Sequence, residues 1–330
     1  MRAMILAAGL GTRLRPLTDY RAKPALPVHG RPVISLLLEL LARHGVEQVL
    51  INLFHRPETI RAAVESDHPD KMTISWSEEA EPLGTGGGIR HAADFLSAGA
   101  DCLVMAGDML LDIDLSGLLA RHRASGRDVS LVLREDSRGT QFGTIGLDAS
   151  GQLTRIGKRE ITRPADRVGS ADPQPARETR QGLFTGVRFF SSAALAGWPG
   201  ARTAFEDLRD WLVPRIESGE ASVGAEIVDA TTSVWEPVGT PDEYLDVNLS
   251  PPNLPTLGGG ASAWGGDILP WVPESGSVIA RSAQVSPEAS LERCVVWEGE
   301  RVPAGFRGRE GVYAGNTFHA CRASASGSSS

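Results

Sequence analysis

Cysteine is scarce in this 330-residue chain. Cys102, Cys294 and Cys321 are an odd count at distant spacings, which excludes a disulfide framework and a paired-cysteine metal site. A reducing compartment is implied, and a cytoplasmic location is expected. Long apolar runs are also missing. Stretches such as Val33 to Ala42 are short and carry Glu39, far below the ~18 apolar residues of a membrane span. Residues 3–10 have the character of a weak signal core, but Gly-rich basic sequence follows where a small-residue cleavage site belongs, so the segment reads as a buried strand. Basic residues are not in excess. Lys and Arg number 33 against 41 Asp and Glu, a formal charge of −8, which excludes general binding to a nucleic-acid backbone but leaves room for a local basic pocket. There is no G-x-S-x-G elbow and no H-E-x-x-H zinc motif. His319 and Cys321 are too few for a zinc site, and the seven Trp are scattered as packing residues are.

What is present suits a globular protein. Apolar residues make up 41% of the chain, enough for a sizeable core, and the length fits two domains or one large domain with an appendage. The first 135 residues alternate apolar runs with amphipathic stretches. Residues 3–8 read as a strand, and Pro32 opens a helix whose apolar face is Val33, Leu37, Leu38, Leu40 and Leu41. Then come a strand at 49–53, a helix at 57–64, a strand at 72–76, a helix at 88–96 and a strand at 102–106. A helix at 115–124 and a strand at 129–133 continue the series. Such alternation predicts βαβ units and a mostly parallel sheet, with ligands beyond the carboxyl ends of the strands.

The texture changes at Gly143. Residues 144–147 and 153–156 read as a hairpin, 162–182 as a mobile Pro-rich loop, 183–190 as a strand and 205–216 as a helix. A linker is expected over 250–266, where Pro251, Pro252, Pro255 and Gly258 to Gly260 cluster. Beyond it Ile279, Val285 and Leu291 recur every six residues, Trp297 keeps the register, and Val302 comes one residue early. That period predicts a short left-handed β-helix, with an ordinary hairpin stack as the alternative. The Ser/Gly/Ala-rich tail over 323–330 is expected to be disordered.

Chemistry concentrates in LAAGLGTRLRPLT over 6–18, followed by Lys23-Pro24. Gly9 and Gly11 let backbone N–H groups approach a ligand, and Arg13 and Lys23 add positive charge where such a loop would hold phosphate. Neither the dinucleotide fingerprint, which needs Gly where Leu14 stands, nor a Walker sequence is present.

These motifs resemble the sugar-1-phosphate nucleotidyltransferase family, whose members join a nucleoside triphosphate to a sugar 1-phosphate and release pyrophosphate. The resemblance covers about residues 1–247 and extends through EEAEPLGTGGG at 78–88, Gly107-Asp108, Phe142-Gly143, Gly157-Lys158, Thr185-Gly186 and WEPVGT at 235–240. It implies a Rossmann-like α/β nucleotidyltransferase domain over 1–250, a hexapeptide-repeat β-helix region over 251–322 and the tail. The loop at 78–88 is nearest to relatives that activate N-acetylmuramic acid 1-phosphate with UTP, the repeats to mannose-1-phosphate guanylyltransferases, so both UTP and GTP stay open.

The resemblance also implies roles. Leu6, Ala8, Gly9, Gly11 and Thr12 would hold the nucleotide, Arg13 the departing pyrophosphate and Lys23 the α-phosphate region. Glu79 would read the base, with Gly84 and Thr85 supplying backbone contacts. Gly143, Lys158 and Gly186 would form the sugar-phosphate side, with Arg159 as an alternative to Lys158. Asp108 would bind Mg²⁺, or as a bland alternative cap its own turn. Two departures stand out. The Lys158 element lacks the family's Glu, and Pro237 replaces the second metal-binding Asp, leaving either Glu236 as a substitute ligand or Asp108 as the single carboxylate. A catalytically silent regulatory homologue is therefore the rival expectation. Self-association through the C-terminal region is expected because a short β-helix leaves open strand ends. No nucleic-acid or membrane partner is expected.

Overall fold

A computed structural model describes residues 1–167, 176–199, 203–259, 263–266, 268–269 and 275–321. Along the chain, β1 (Arg2–Leu6) is followed by a short hairpin of β2 (Pro27–Val28) and β3 (Arg31–Pro32). Next come α1 (Val33–Arg43), β4 (Gln48–Leu53), α2 (Pro57–Ser66) and β5 (Thr73–Glu78). Helices α3 (Gly84–His91) and α4 (Ala93–Ser97) precede β6 (Asp101–Ala106), β7 (Met109–Asp112) and α5 (Leu115–Ser125). Then follow β8 (Val129–Arg134), the single turn α6 (Gly139–Phe142), β9 (Ile145–Leu147), β10 (Leu153–Ile156), β11 (Arg159–Glu160) and the long β12 (Arg180–Ser191).

The central sheet is mixed. Strands β5, β4, β1 and β6 are parallel neighbours, β12 runs antiparallel to β6, and β12 also pairs with β8 and β9. Ala3, Met4 and Ile5 of β1 are fully buried, as the continuous apolar run of a strand covered on both faces must be. The expected α/β fold with its parallel core is present.

Several details differ from expectation. The helix read at 88–96 begins at Gly84 and breaks at Ala92 into α3 and α4. Four glycines make α3 a poor helix by propensity, and tertiary packing decides its start. The single helix read at 205–216 is a π-type turn over Asp207–Leu212 that runs into α7 (Val213–Ser218), with Pro214 in the first turn. Strand β13 (Val223–Val228) then pairs parallel to β8. β14 (Val234–Pro237) pairs antiparallel with β7 and leads into α8 (Pro241–Leu249), capped by the Thr240 hydroxyl. Of the loop read at 162–182, residues 164–167 form a 3₁₀ turn and β12 already starts at Arg180, while 168–175 lie outside the described residues. The stretch read as a linker packs: Leu254 and Leu257 are buried and join the main core.

The C-terminal strands form parallel ladders. β15 (Val278–Ile279), β17 (Ser290–Val296) and β19 (Arg307–Ala314) make one, closed by antiparallel β20 (Thr317–Ala320). β16 (Gln284–Val285) and β18 (Arg301–Val302) make the other. Val278 pairs with Val295 and Val285 with Val302, so one coil takes 17 residues, one short of three hexads. The early arrival of Val302 is thereby explained. Parallel coils of this kind are consistent with a short β-helix; the tail at 323–330 lies outside the described residues. Val295, Trp297, Val312 and Ala314 share one apolar cluster with Leu14, Leu17 and Tyr244, so the coil is packed on the main fold. No described helix is long and apolar enough to cross a membrane.

Tyr244 joins the two parts. Its hydroxyl donates to the Pro27 carbonyl at 2.6 Å and accepts from Trp297 Nε1 at 2.8 Å, all fully buried. Tyr244→Phe should cost about 2–4 kcal/mol, because a buried carbonyl and an indole N–H lose their partner together. Urea denaturation with an unchanged m-value checks this.

Buried His122 stacks on Phe189 and shares a 2.8 Å hydrogen bond with Ser130 Oγ, and burial pushes its pKa below the usual 6.5. The unfolded chain therefore binds the proton more readily. Stability from this site is complete above pH 6.5 and is lost as pH falls below it, by at most about 1.4 kcal/mol per pH unit. Urea midpoints between pH 7.5 and 5 should show a shallower decline in His122→Leu than in the parent.

Candidate active site

The carboxyl ends of β1, β4, β5 and β6 open into one cleft of about 740 Å³. The cleft receives Leu6 to Arg13 from β1, Asn52 from β4, Glu79 from β5 and Asp108 from β6. This is where a parallel sheet is expected to bind ligands.

The loop after β1 is shaped by its own motif residues. Gly11 takes a left-handed φ of 61°, and the Thr18 hydroxyl donates to its carbonyl at 2.9 Å. Any Cβ at Gly11 would meet the Thr18 methyl at 2.8 Å. Leu14 and Leu17 are fully buried and anchor the loop. Arg13, by contrast, is exposed, stands beside Gly239, and forms no ion pair among the described residues. Lys23 is nearly buried, and its Nζ donates to Asp108 Oδ2 at 2.6 Å.

Asp108 is brought there by close backbone packing. The Gly107 N–H donates to the Leu6 carbonyl, and a Cβ at Gly107 would lie 2.9 Å from that same oxygen. The Asp108 side chain is 45% exposed. A single carboxylate of this kind fits a Mg²⁺ carried mainly by phosphate oxygens rather than a dedicated protein cage. Asp112 and Asp114 are committed elsewhere: Asp112 accepts from the Thr256 N–H, and Asp114 caps α5. Glu236 does not join Asp108 in the cleft. Arg138 takes it at 2.6 Å, and the same guanidinium, with that of Arg134, holds Asp136. Hydrogen bonds from Arg138 lower the Asp136 pKa to about 2. Among the described residues no group of three or more His, Cys, Asp or Glu could hold a metal.

Glu79 has a structural task. Its Oε1 accepts from Asn52 Nδ2 at 2.7 Å and its Oε2 from the Leu83 N–H at 3.1 Å, while Asn52 Oδ1 accepts from the Ala7 N–H. The pair ties the ends of β1, β4 and β5 to the Gly-rich turn. The glycines of α3 serve close packing against the segment 203–207. Gly86 and Gly87 donate to the Phe205 carbonyl, a Cβ at Gly86 would collide with the Phe205 ring, and one at Gly87 would lie 2.6 Å from the Thr203 carbonyl. Thr85 Oγ1 stands 2.6 Å from both Glu206 Oε2 and Asp207 Oδ1.

The expected sugar side is only partly assembled. Gly186 lines the cleft, whereas Gly143 and Lys158 do not; Lys158 is exposed in the turn between β10 and β11. Arg159 pairs with Glu217. In their place Arg188, Glu206, Asp207 and Arg209 line the wall. Arg188 Nε lies 2.7 Å from Asp207 Oδ2 with both side chains under 5% exposed, but the N–H points off line, so the contact is an ion pair without a hydrogen bond. The residues missed from sequence carry a common signal: Asn52 and Arg188 are polar interruptions in apolar strand runs.

An α/β sheet with a glycine loop, two cations and a carboxylate at its carboxyl edge defines a phosphate- and nucleotide-handling protein. The chain belongs to the nucleotidyl transferase family, whose profile, described as "Nucleotidyl transferase", matches residues 2–252. It is similar to mannose-1-phosphate guanylyltransferase of Mycobacterium tuberculosis, 28% identical over 92% of this chain and 81% of that protein. It is also similar to UTP–glucose-1-phosphate uridylyltransferase of Synechocystis, 32% identical over 46% of this chain and 42% of that protein. Among solved structures, HddC from Yersinia pseudotuberculosis complexed with GMP-PN shares the fold, with a TM-score of 0.58, 22% identity, and coverage of 75% of this chain and 97% of that one.

Gly87→Ala should displace the 203–207 segment and cost about 1–3 kcal/mol, since the methyl meets rigid backbone. Thermal denaturation reads the loss.

Proposed function

We propose that the protein is a sugar-1-phosphate nucleotidyltransferase: a nucleoside triphosphate and a sugar 1-phosphate give a nucleoside-diphosphate sugar and pyrophosphate. The observation that carries this reading is the convergence of the Gly9–Arg13 loop, Lys23 and Asp108 on one cleft. In the reaction a phosphate oxygen of the sugar 1-phosphate attacks the α-phosphorus, and the bond to the β-phosphate oxygen breaks. Such chemistry needs positioning and charge stabilisation more than a protein nucleophile.

Backbone N–H groups of Gly9 to Thr12 cradle the triphosphate. Exposed Arg13 offers its planar donor fork to the departing pyrophosphate. Lys23, held by Asp108, sets a positive charge at the α-phosphate. Asp108 would hold Mg²⁺, which when bound offsets the mutual repulsion of the phosphates. Glu236, occupied by Arg138, is left out of that role. The relative aligned over most of this chain is named for guanylyl transfer to mannose 1-phosphate, which makes GTP with mannose 1-phosphate the first pair to assay.

Pyrophosphate release should be observed in a screen of the four nucleoside triphosphates against a panel of sugar 1-phosphates. Asp108→Ala should lower kcat by about 10²–10³-fold. Glu236→Ala should leave the Mg²⁺ dependence of the rate unchanged. Nucleotide binding by calorimetry without product from any pair would replace this reading by the silent regulatory one.

A further inference from the structure

We propose that the C-terminal coil positions the triphosphate loop, acting through Trp297 and Arg21. The proposal rests on the reading of the Gly9–Lys23 loop given above. Between Thr18 and Lys23 the loop turns its side chains to the coil. The Arg21 guanidinium pairs with Glu298 at 2.5 Å and lies 4.8 Å over the Trp297 ring. The Tyr20 ring meets Trp297 edge-on at 6.4 Å and His319 at 5.7 Å, and it is pressed so closely on Gly315 that any Cβ there would collide.

Downstream of Lys23 the coil takes hold again. Trp297 Nε1 donates to the Tyr244 hydroxyl, which donates to the Pro27 carbonyl. One buried indole is thus linked to the chain on both flanks of Lys23. Tyr244 also lies on α8, whose start follows Gly239, the neighbour of Arg13. Lys23 and Arg13, the two cations of the loop, are therefore referred to the same coil residue.

The Arg21–Glu298 pair is half-exposed, at 26% and 49%, and a pair so close to solvent adds at most a small increment to global stability, so its loss should appear chiefly in kinetics rather than in melting temperature. A displaced loop loosens its contacts to the bound triphosphate, which the nucleotide KM reads; a tenfold change corresponds to about 1.4 kcal/mol. Binding coupling is reciprocal, so nucleotide at the loop must in turn protect the coil.

The test uses the full chain. Arg21→Ala should raise KM for the nucleoside triphosphate about tenfold, with KM for the sugar 1-phosphate and Tm unchanged. Arg21→Lys should restore part of the loss. Arg309→Ala, which breaks the outer Arg309–Glu292 pair, should behave as the parent. Hydrogen exchange on the parent protein supplies a readout independent of turnover: GTP should protect residues 297–298 and 315–319. An unchanged nucleotide KM in Arg21→Ala overturns the proposal. So does a joint change of both KM values with a lower Tm, or absence of nucleotide-dependent protection in the coil when GTP binds. If the parent binds no nucleoside triphosphate, the functional reading falls and the positioning role with it.

Discussion

Lys23 reaches Asp108 because β1 lies between β4 and β6. The two residues are 85 positions apart in sequence, yet their charged groups stand at 2.6 Å. Parallel register sets the carboxyl ends of β1 and β6 side by side, and Gly107 lets the second chain close on the Leu6 carbonyl without a side chain between them. Everything in the cleft depends on that adjacency. The loop after β1 must return over the strand ends, and the turn after β6 must present its carboxylate upward into the same space.

Charge is partitioned by local pairing. The chain carries a formal charge of −8, yet the cleft has a basic end at Arg13 and Lys23. The acidic groups around it are mostly committed. Glu79 is taken by an amide and a backbone N–H, Asp207 by Arg188, and Glu206 by the Thr85 hydroxyl. Asp108 differs in being open to solvent over nearly half its side chain while still oriented by Lys23.

Packing density sets the remaining shape. The glycines of α3 allow the 203–207 segment to lie on the helix start and accept its N–H groups. The π-type turn over Asp207–Leu212 begins where that segment ends and runs directly into α7. The C-terminal coil is seated on the same body through Trp297 and Tyr244, so the appendage shares the core of the fold it follows.

Much of this was legible in the sequence. The alternation of apolar runs located β1, β4, β6 and α1, because strand and helix periods depend only on neighbours a few residues away. The loop over 6–18, Lys23 and Asp108 were legible as candidates through their residue types, and they line one cleft. Residues placed by partners far along the chain were not. Glu79 has the side chain of a base reader and is spent on Asn52; Lys158 has the charge for a phosphate and sits on an outer turn; Glu236 is drawn to Arg138. Arg188 and Asp207 enter the wall only where β12 and the 203–207 segment meet. Sequence by itself determined the parallel core and the backbone course of the glycine loop, since both follow from local pattern. Tertiary structure alone decided which charges stay free for a ligand, because neutralisation depends on what the fold brings within hydrogen-bonding distance.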